Sequence, residues 1–257
     1  MYIQIKFPTT EKIYYFQTSD ETYKSGDEIL VDSGEIQEMA IILSISNNEP
    51  SEKDEIMIGE VKRKITPEDR ERLERLKEKT KEYLPLCQDK IEIHGLDMRL
   101  IDADLSFDEK KLTFFFIAVG RIDFRELVMD LVRTFKKVIR LQQIGTRDEA
   151  KIFGGCGKCG RALCCSSFLT NIESITLDMA KEQDIISSSN KLSGSCGKLM
   201  CCLAFELKNY RELANKMPQI GEEVKVKNEK GRVVGRSLIK QTYFVETGKG
   251  QKMEVEL

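Results

Sequence analysis

A ten-residue segment with three cysteines occurs twice in this chain and constrains its fold more than any other feature. Residues 159–168 read CGRALCCSSF, and residues 196–205 read CGKLMCCLAF. Both copies follow the pattern C-G-[R/K]-x-[L/M]-C-C-x-x-F, and they are offset by 37 residues. Seven of the eight cysteines in the 257-residue chain lie between Cys156 and Cys202. This repetition predicts two similar loops that contribute side chains to one common site.

The cellular compartment determines whether these cysteines are reduced thiols or disulfides. The first residues, MYIQIKFPTTEKIYYF, lack the basic-then-apolar profile of a signal peptide, and no apolar stretch approaches the length of a membrane span. We therefore expect a cytoplasmic protein without membrane insertion. Cytosolic cysteines stay reduced, so a dense cluster indicates metal or redox chemistry rather than a disulfide framework. The net charge of −2 gives no global field that favours nucleic acid or membrane.

The rest of the chain predicts an α+β fold with a small β module at each end. Short segments rich in β-branched and aromatic residues, such as YIQIKF and MAIILSI, predict a barrel-like module over 1–62. Residues 66–150 predict a central α+β sandwich in the order helix–strand–strand–helix–strand, with the helices on one face. Residues 151–217 are the cysteine-rich segment, which contains a helix. Residues 218–257 predict the C-terminal β module.

Three helices can be placed from their sequence. The segment TPEDRERLERLKEKTKEYL predicts a helix that begins with Thr66, Pro67 and Asp69. In DFRELVMDLVRTF, a core stripe predicts a second helix, and Asp123 and Glu126 have the spacing of a capping box. A third helix is predicted over LAFELKNYRELANKM, directly after the second cysteine motif.

The spacing of the cysteines predicts a four-thiolate site. It is C-x2-C-x4-C-C in the first copy and C-x4-C-C in the second. Neighbouring side chains diverge in both helix and strand, so we do not expect both members of a Cys-Cys pair to bind one ion. The simplest four-thiolate set is Cys159, Cys164, Cys196 and Cys201. The thiols left for a second site, for a partner's site or as spare ligands are Cys156, Cys165 and Cys202.

An iron–sulfur cluster is favoured over zinc at this site. Structural zinc sites typically pair two C-x2-C units, and only Cys156 and Cys159 have that spacing; the one histidine, His94, is distant in sequence. The C-x4-C spacing occurs in plant-type ferredoxins, whose ligands span a whole cluster. Zinc is the alternative. Glycines leave room for backbone N–H groups near sulfide, and cations offset thiolate charge; the residues predicted to act in this way are Gly157, Lys158, Gly160, Arg161, Gly197 and Lys198.

The two cysteine segments, GGCGKCGRALCCSSFL and SGSCGKLMCCLAFE, resemble those of the bacterial RicT (YaaT) family. The resemblance covers nearly the whole chain, including GDEILVDSG and GRIDFRELVMDL. It implies a non-catalytic regulatory subunit that carries a [4Fe–4S] cluster and acts with two small helical partners, RicA (YmcA) and RicF (YlbF). Such a complex engages the endoribonuclease RNase Y and influences RNA processing and development, including sporulation, biofilm formation and competence.

The resemblance also implies a division of the cysteines. The ligands of a cluster internal to the chain would be Cys159, Cys196, Cys201 and, as the fourth, Cys164. A second cluster shared with the partners would use Cys165 and Cys156. The role of Cys202 stays open.

Two other classes of function use the same residues differently. A zinc-stabilised RNA-binding module would use the barrel-like ends and the basic residues of RTFKKVIR, together with Arg147, Lys158 and Arg161. A thiol oxidoreductase would use CGKC, although the only histidine, a common general base, is distant in sequence. The cluster hypothesis makes the clearest demand on the structure, because it requires the two cysteine segments to converge in space.

Overall fold

The computed structural model describes residues 2–7, 13–18, 22–34, 36–46, 59–169, 172–185, 192–226, 229–248 and 250–257. It has an α+β fold with β-sheets at both ends, which confirms the predicted fold class. The chain divides into two compact units, an N-terminal unit (1–145) and a C-terminal unit (146–257). No described helix is both long and apolar enough to cross a bilayer.

The N-terminal unit begins with an antiparallel sheet of five strands in the order β2-β1-β4-β3-β5. The strands are β1 (Tyr2–Lys6), β2 (Ile13–Gln17), β3 (Glu28–Asp32), β4 (Gln37–Ser46) and β5 (Glu60–Lys64). Side chains alternate between the two faces of a strand, so Ile3 and Ile5 of β1 both point into the core, where they are fully buried with Phe16.

The second layer of this unit is the predicted helix–strand–strand–helix–strand arrangement. Its elements are α1 (Pro67–Ile93), β6 (Arg99–Leu105), β7 (Lys111–Ile117), α2 (Arg125–Phe135) and β8 (Val138–Gln143). β7 pairs antiparallel with β6 and parallel with β8. α1 packs on β6, α2 packs on β8, and the two helices contact each other, so both cover one face of the sheet. The core between them includes Phe114, Leu127 and Leu131.

The predicted start of α1 is confirmed. The Thr66 hydroxyl accepts a hydrogen bond from the Asp69 N–H at 3.3 Å, and the Asp69 carboxylate accepts one from the Thr66 N–H at 2.9 Å. This reciprocal pair is a capping box. The Arg63 guanidinium also donates to Asp69 and holds the pKa of that carboxyl well below its usual range.

The end of α1 lies beyond the predicted segment, which stops at Leu84. The helix continues through Pro85 to Ile93. A proline inside a helix costs about 3 kcal/mol because it removes one backbone hydrogen bond and crowds the preceding turn. Cys87 and Ile91 continue the buried stripe of the helix and are almost completely inaccessible, so packing on the core compensates for the proline.

The capping box predicted for α2 is wrong. The residue that precedes the helix is Phe124, and its side chain makes no capping hydrogen bond. The helix therefore begins one residue too late for Asp123 and Glu126 to occupy the two positions of a capping box. The Asp123 carboxylate instead accepts hydrogen bonds from the backbone N–H and the guanidinium of Arg125.

The C-terminal unit combines short helices with an antiparallel sheet. Its elements are α3 (Thr146–Phe153), α4 (Cys164–Ser167), α5 (Leu177–Glu182), α6 (Cys201–Lys216), β9 (Glu223–Val226), β10 (Glu229–Ser237), β11 (Thr242–Thr247) and β12 (Lys252–Glu256). The strands form a meander in the order β12-β11-β10-β9. Val233 and Val245 are fully buried in this sheet, whereas the buried cluster of the helical part consists of Ala180, Leu192 and Leu203.

Candidate functional site

The two copies of the cysteine motif fold into the same local structure, which we call hook 1 (155–168) and hook 2 (192–205). Each hook is closed by one isolated antiparallel bridge and one short backbone hydrogen bond. The bridges join Cys156 to Ala162 and Ser193 to Leu199. The hydrogen bonds run from the Gly157 N–H to the Arg161 carbonyl and from the Gly194 N–H to the Lys198 carbonyl, both at 2.8 Å. The sequence repeat is therefore a structural repeat.

Glycines shape the tip of each hook. Gly160 and Gly197 have φ angles of 77° and 78°, in the left-handed region that residues with a Cβ disfavour. A Cβ on Gly157 would lie 3.5 Å from the Cys159 sulfur, and one on Gly194 would lie 3.7 Å from the Cys196 sulfur. These two glycines keep the space beside the tip thiols free of side chains.

In each hook, the Cys-Cys pair begins a helix. Cys164 is the first residue of α4, and Cys201 is the first residue of α6. The residues just before them, Leu163 and Met200, are extended and make no side-chain cap. The vicinal cysteines therefore lie at helix N-termini in both hooks.

The two hooks meet through equivalent residues. α4 contacts α6, and the rings of Phe168 and Phe205, the last residues of the two motifs, pack edge to face with centroids 5.1 Å apart. The Cys164 and Cys201 thiols, which also occupy equivalent positions, are neighbours, and Cys201 contributes to the raised pKa of Cys164. Contacts between equivalent residues of two copies are the mark of a local two-fold relation.

The remaining thiols of the motifs interact crosswise. The Cys165 thiol of hook 1 interacts electrostatically with Cys201 and Cys196 of hook 2. In the same way, the Cys202 thiol of hook 2 interacts with Cys159 of hook 1. Thiols of the two hooks therefore influence one another, and the two vicinal cysteines that the spacing argument had set aside take part.

Cys156 has a different position. It is exposed, and its equivalent in hook 2 is Ser193, so it has no symmetric partner. Its carbonyl accepts a hydrogen bond from the Ser195 hydroxyl at 3.4 Å, which links the two hooks.

Burial and crowding keep the central thiols protonated. Burial raises the pKa of Cys164 to about 11, and the neighbouring Cys201 thiol adds to the shift. Burial also raises the pKa of Cys165, again with a contribution from Cys201. The pKa of Cys202 is raised by burial and by the nearby Glu206 carboxylate. Bound metal would reverse this preference, because it supplies the positive charge that thiolates need.

Arg147 was predicted only as a candidate RNA-binding residue, and the structure gives it a different position, at the hooks. Its guanidinium donates a hydrogen bond to the Leu199 carbonyl of hook 2 at 2.9 Å, and its charge acts against the raised pKa of Cys165 in hook 1. It therefore braces one hook and offsets negative charge in the other. In the sequence it is a single arginine shortly before the first cysteine motif, and nothing in its surroundings marks its contact with hook 2.

The cations predicted to flank the thiols contribute through their backbone. Arg161 and Lys198 close the hooks with their carbonyl groups, while their side chains and that of Lys158 are exposed. Among the residues that the structure describes, no three His, Cys, Asp or Glu side chains form a group that could hold a single metal ion. The binding of a cofactor at the hooks therefore stays a prediction, which depends on the cysteine pattern of the two hooks.

The N-terminal unit contains residues considered for the alternative functions, as well as the one cysteine that lies outside the hooks. His94 ends α1 and lies 3.4 Å from Asp130 through its Nε2 atom. Cys87 is fully buried in the core, and burial raises its pKa to about 12. Within the basic run, Lys137 donates to the Glu109 carbonyl at 2.6 Å. The run therefore does not present all its cations to solvent.

Comparison with known proteins places the chain in a family. Residues 59–144 match the PSP1 C-terminal conserved region, and residues 174–217 match the third domain of PSP1-like proteins. The chain is 38% identical over 245 residues to the stage 0 sporulation protein YaaT of Bacillus subtilis (strain 168), which covers 95% of this chain and 89% of that protein. It is 39% identical over 74 residues, 29% of this chain, to an uncharacterised protein of Schizosaccharomyces pombe (strain 972 / ATCC 24843), of which the match covers 10%. No solved structure matches it significantly. The chain belongs to the YaaT (RicT) family and carries its PSP1 domains.

Proposed function

We propose that this chain is a non-catalytic regulatory subunit that binds a [4Fe–4S] cluster between its two hooks. The observation that carries the proposal is that two structurally equivalent, cysteine-bearing hooks meet and that their thiols influence one another. Thiolates are soft ligands that favour iron–sulfur clusters, zinc and copper(I) over hard cations. The cluster ligands on this chain would be Cys159, Cys164, Cys196 and Cys201.

The hooks suit a cluster better than a single ion. Cluster ligands stand around a larger body than the ligands of one ion do, which suits ligands that come from two separate hooks. The glycines beside Cys159 and Cys196 leave open space next to the sulfur atoms. Arg147 brings a positive charge to the same place, which offsets the negative charge of thiolates.

The residues of the hooks would make the regulation possible. When bound, a cluster supplies a cross-link that is sensitive to oxygen and iron supply. Its ligands come from both hooks, so its loss would release Cys159 from Cys196 and free α4 to move relative to α6. A subunit built in this way would report redox state or iron supply to a partner that binds near the hooks.

The partners we propose are RicA (YmcA)-like and RicF (YlbF)-like proteins, in a complex that engages RNase Y and modulates mRNA processing. Cys165 and Cys156 are the candidate ligands of a cluster shared with them. The name of the Bacillus subtilis relative, a stage 0 sporulation protein, supports a role in developmental regulation. The unit that carries the hooks contains no histidine, the commonest general base, which supports a role without catalysis.

The test is metal analysis of the full-length chain purified without air, beside a Cys196→Ala variant. We expect broad absorption near 400 nm and about four iron and four sulfide per chain, as a [4Fe–4S] cluster requires. Loss of one ligand should reduce bound iron by about fivefold or more. The matched control is Cys87→Ala, which removes a thiol from the core of the N-terminal unit and should retain the iron. Colourless wild-type protein with stoichiometric zinc would contradict the proposal.

A further inference from the structure

The two aromatic rings that join the hooks also bring one pair of thiols together. The Phe168 N–H donates to the Cys164 carbonyl, so helical geometry continues from Cys164 to Phe168. Residues four apart on a helix lie on the same face, which places Cys164 beside Phe168 and Cys201 beside Phe205. Since the two rings pack against each other and the two helices are in contact, the thiols at their first positions lie on the faces that meet.

These two thiols are neighbours, since Cys201 contributes to the raised pKa of Cys164, and both residues are free cysteines that are neither buried nor fully exposed. A small oxidant can therefore reach them, whereas Cys87 is enclosed in a core. Two neighbouring thiols from different segments are the arrangement from which a disulfide forms with little movement of the backbone.

We propose that Cys164 and Cys201 form a reversible disulfide that links the two hooks when the protein is metal-free. This modification goes beyond the proposed function, because it needs only the two thiols and no cofactor. The hooks would then be cross-linked in one of two ways, either by a bound cofactor or by the Cys164–Cys201 disulfide. The states exclude each other, because both use the same sulfur atoms.

The oxidant we propose is a low-molecular-weight disulfide. One of the two cysteines, as thiolate, attacks a sulfur of this disulfide and releases one small thiol, which leaves a mixed disulfide on the protein. The second cysteine, after losing its proton, attacks the protein sulfur of that mixed disulfide. The Cys164–Cys201 bond forms and a second small thiol leaves. Two electrons pass from the cysteines to the small disulfide, and the two thiol protons end on the small thiols.

Other pairings of the hook cysteines are less well placed. Cys165 is only 7% exposed, so an oxidant in solution reaches it poorly. Cys202 interacts with Cys201, but adjacent cysteines close only a strained ring. Cys156 is exposed and lacks a symmetric partner. Cys164 and Cys201, which occupy equivalent positions of the two hooks, are therefore the pair that we expect to close.

The experiment uses full-length protein that has been freed of metal with a chelator and then treated with oxidised glutathione. Free thiols are alkylated, the protein is digested with trypsin without reduction, and cross-linked peptides are identified by mass spectrometry. We expect peptide 162–181 joined to peptide 199–208, with fragment ions that place the bond at Cys164 and Cys201. Reduction should return both thiols. Each of Cys164→Ser and Cys201→Ser should lower this cross-linked species by about tenfold or more.

The control variant is Cys156→Ser, which removes an exposed hook thiol and should leave the cross-link unchanged. Several results would overturn the inference: a bond at Cys165 or Cys202 in the wild type, glutathione that stays on either cysteine, or all eight thiols still open to alkylation after unfolding. The measurement is made on metal-free protein. An absence of iron in the native protein therefore tests the proposed function alone, and an absence of this bond tests the disulfide alone.

Discussion

At the scale of single residues, Asp104 on β6 is a carboxyl group held among like charges. Burial raises its pKa to about 7, and the nearby Glu38 and Asp102 carboxylates add to the shift, while Lys111 and Lys77 oppose it. The folded state therefore holds this proton more tightly than the unfolded chain does, where the pKa is 3.8. Because the folded state binds this proton more tightly, the free energy of unfolding decreases as the pH rises from about 4 to about 7.

We predict that Asp104→Asn stabilises the protein at pH 8 by about 1–3 kcal/mol and has a much smaller effect at pH 4.5, because the amide removes the buried charge. Urea unfolding at the two pH values measures the difference. Asp89→Asn, at an exposed position of α1, is the matched control for the change in net charge. A gain that is equal at both pH values would show that charge burial at Asp104 is not its cause.

At the scale of elements, the hooks are short backbone structures that depend on left-handed glycines. A Cβ placed on Gly160 or Gly197 meets no atom within 4 Å, so a substitution there acts through the backbone conformation alone. For a residue with a Cβ this conformation costs about 1–2 kcal/mol. The tip cysteine directly precedes each of these glycines, so a change of the turn moves a proposed ligand.

We predict that Gly197→Ala lowers the bound iron of anaerobically purified protein by about threefold or more, because ligand geometry is sensitive to small displacements. The control is Gly250→Ala in the turn between β11 and β12, where φ is 73° and the backbone strain is comparable. Both variants should retain their far-ultraviolet circular dichroism. An equal iron content in the two variants would show that the turn of hook 2 does not affect iron binding.

At the scale of the whole molecule, the two units differ in how they are stabilised. The N-terminal unit has two extensive cores, one in the five-stranded sheet and one between that unit's helices and β6–β8. Among the described residues, the fully buried cluster of the helical part of the C-terminal unit consists of Ala180, Leu192 and Leu203. A core this small supplies little stability, so a cross-link between the hooks would add to their order.

We predict that removal of the cofactor loosens the hooks and leaves the N-terminal unit unchanged. Hydrogen exchange of anaerobic protein, before and after chelation, should show amides of 155–168 and 192–205 exchanging about tenfold faster or more. Amides of β7 and α2 serve as the internal control and should not change. Equal protection of the hooks in both samples would mean that they are held without a cofactor.

Local features account for what could be predicted in advance. The start of α1 at Thr66 is confirmed because a capping box is formed by residues three apart. The strands could be predicted because they are short segments rich in β-branched and aromatic residues that are separated by turn residues. The likeness of the two hooks follows from Gly160 and Gly197, since a left-handed turn is a property of a few neighbouring residues.

Features that depend on distant contacts emerged from the folded chain. Pro85 lies inside a helix because Cys87 and Ile91, which follow it, pack into a core built by other elements. Arg147 reaches the hooks from α3, and the crosswise pairing of Cys165 with Cys196 depends on two segments that are not contiguous. The cysteine pattern therefore established that two equivalent hooks exist. The packing of α4 against α6 determines which thiols are neighbours. The sequence alone does not show that these two segments meet.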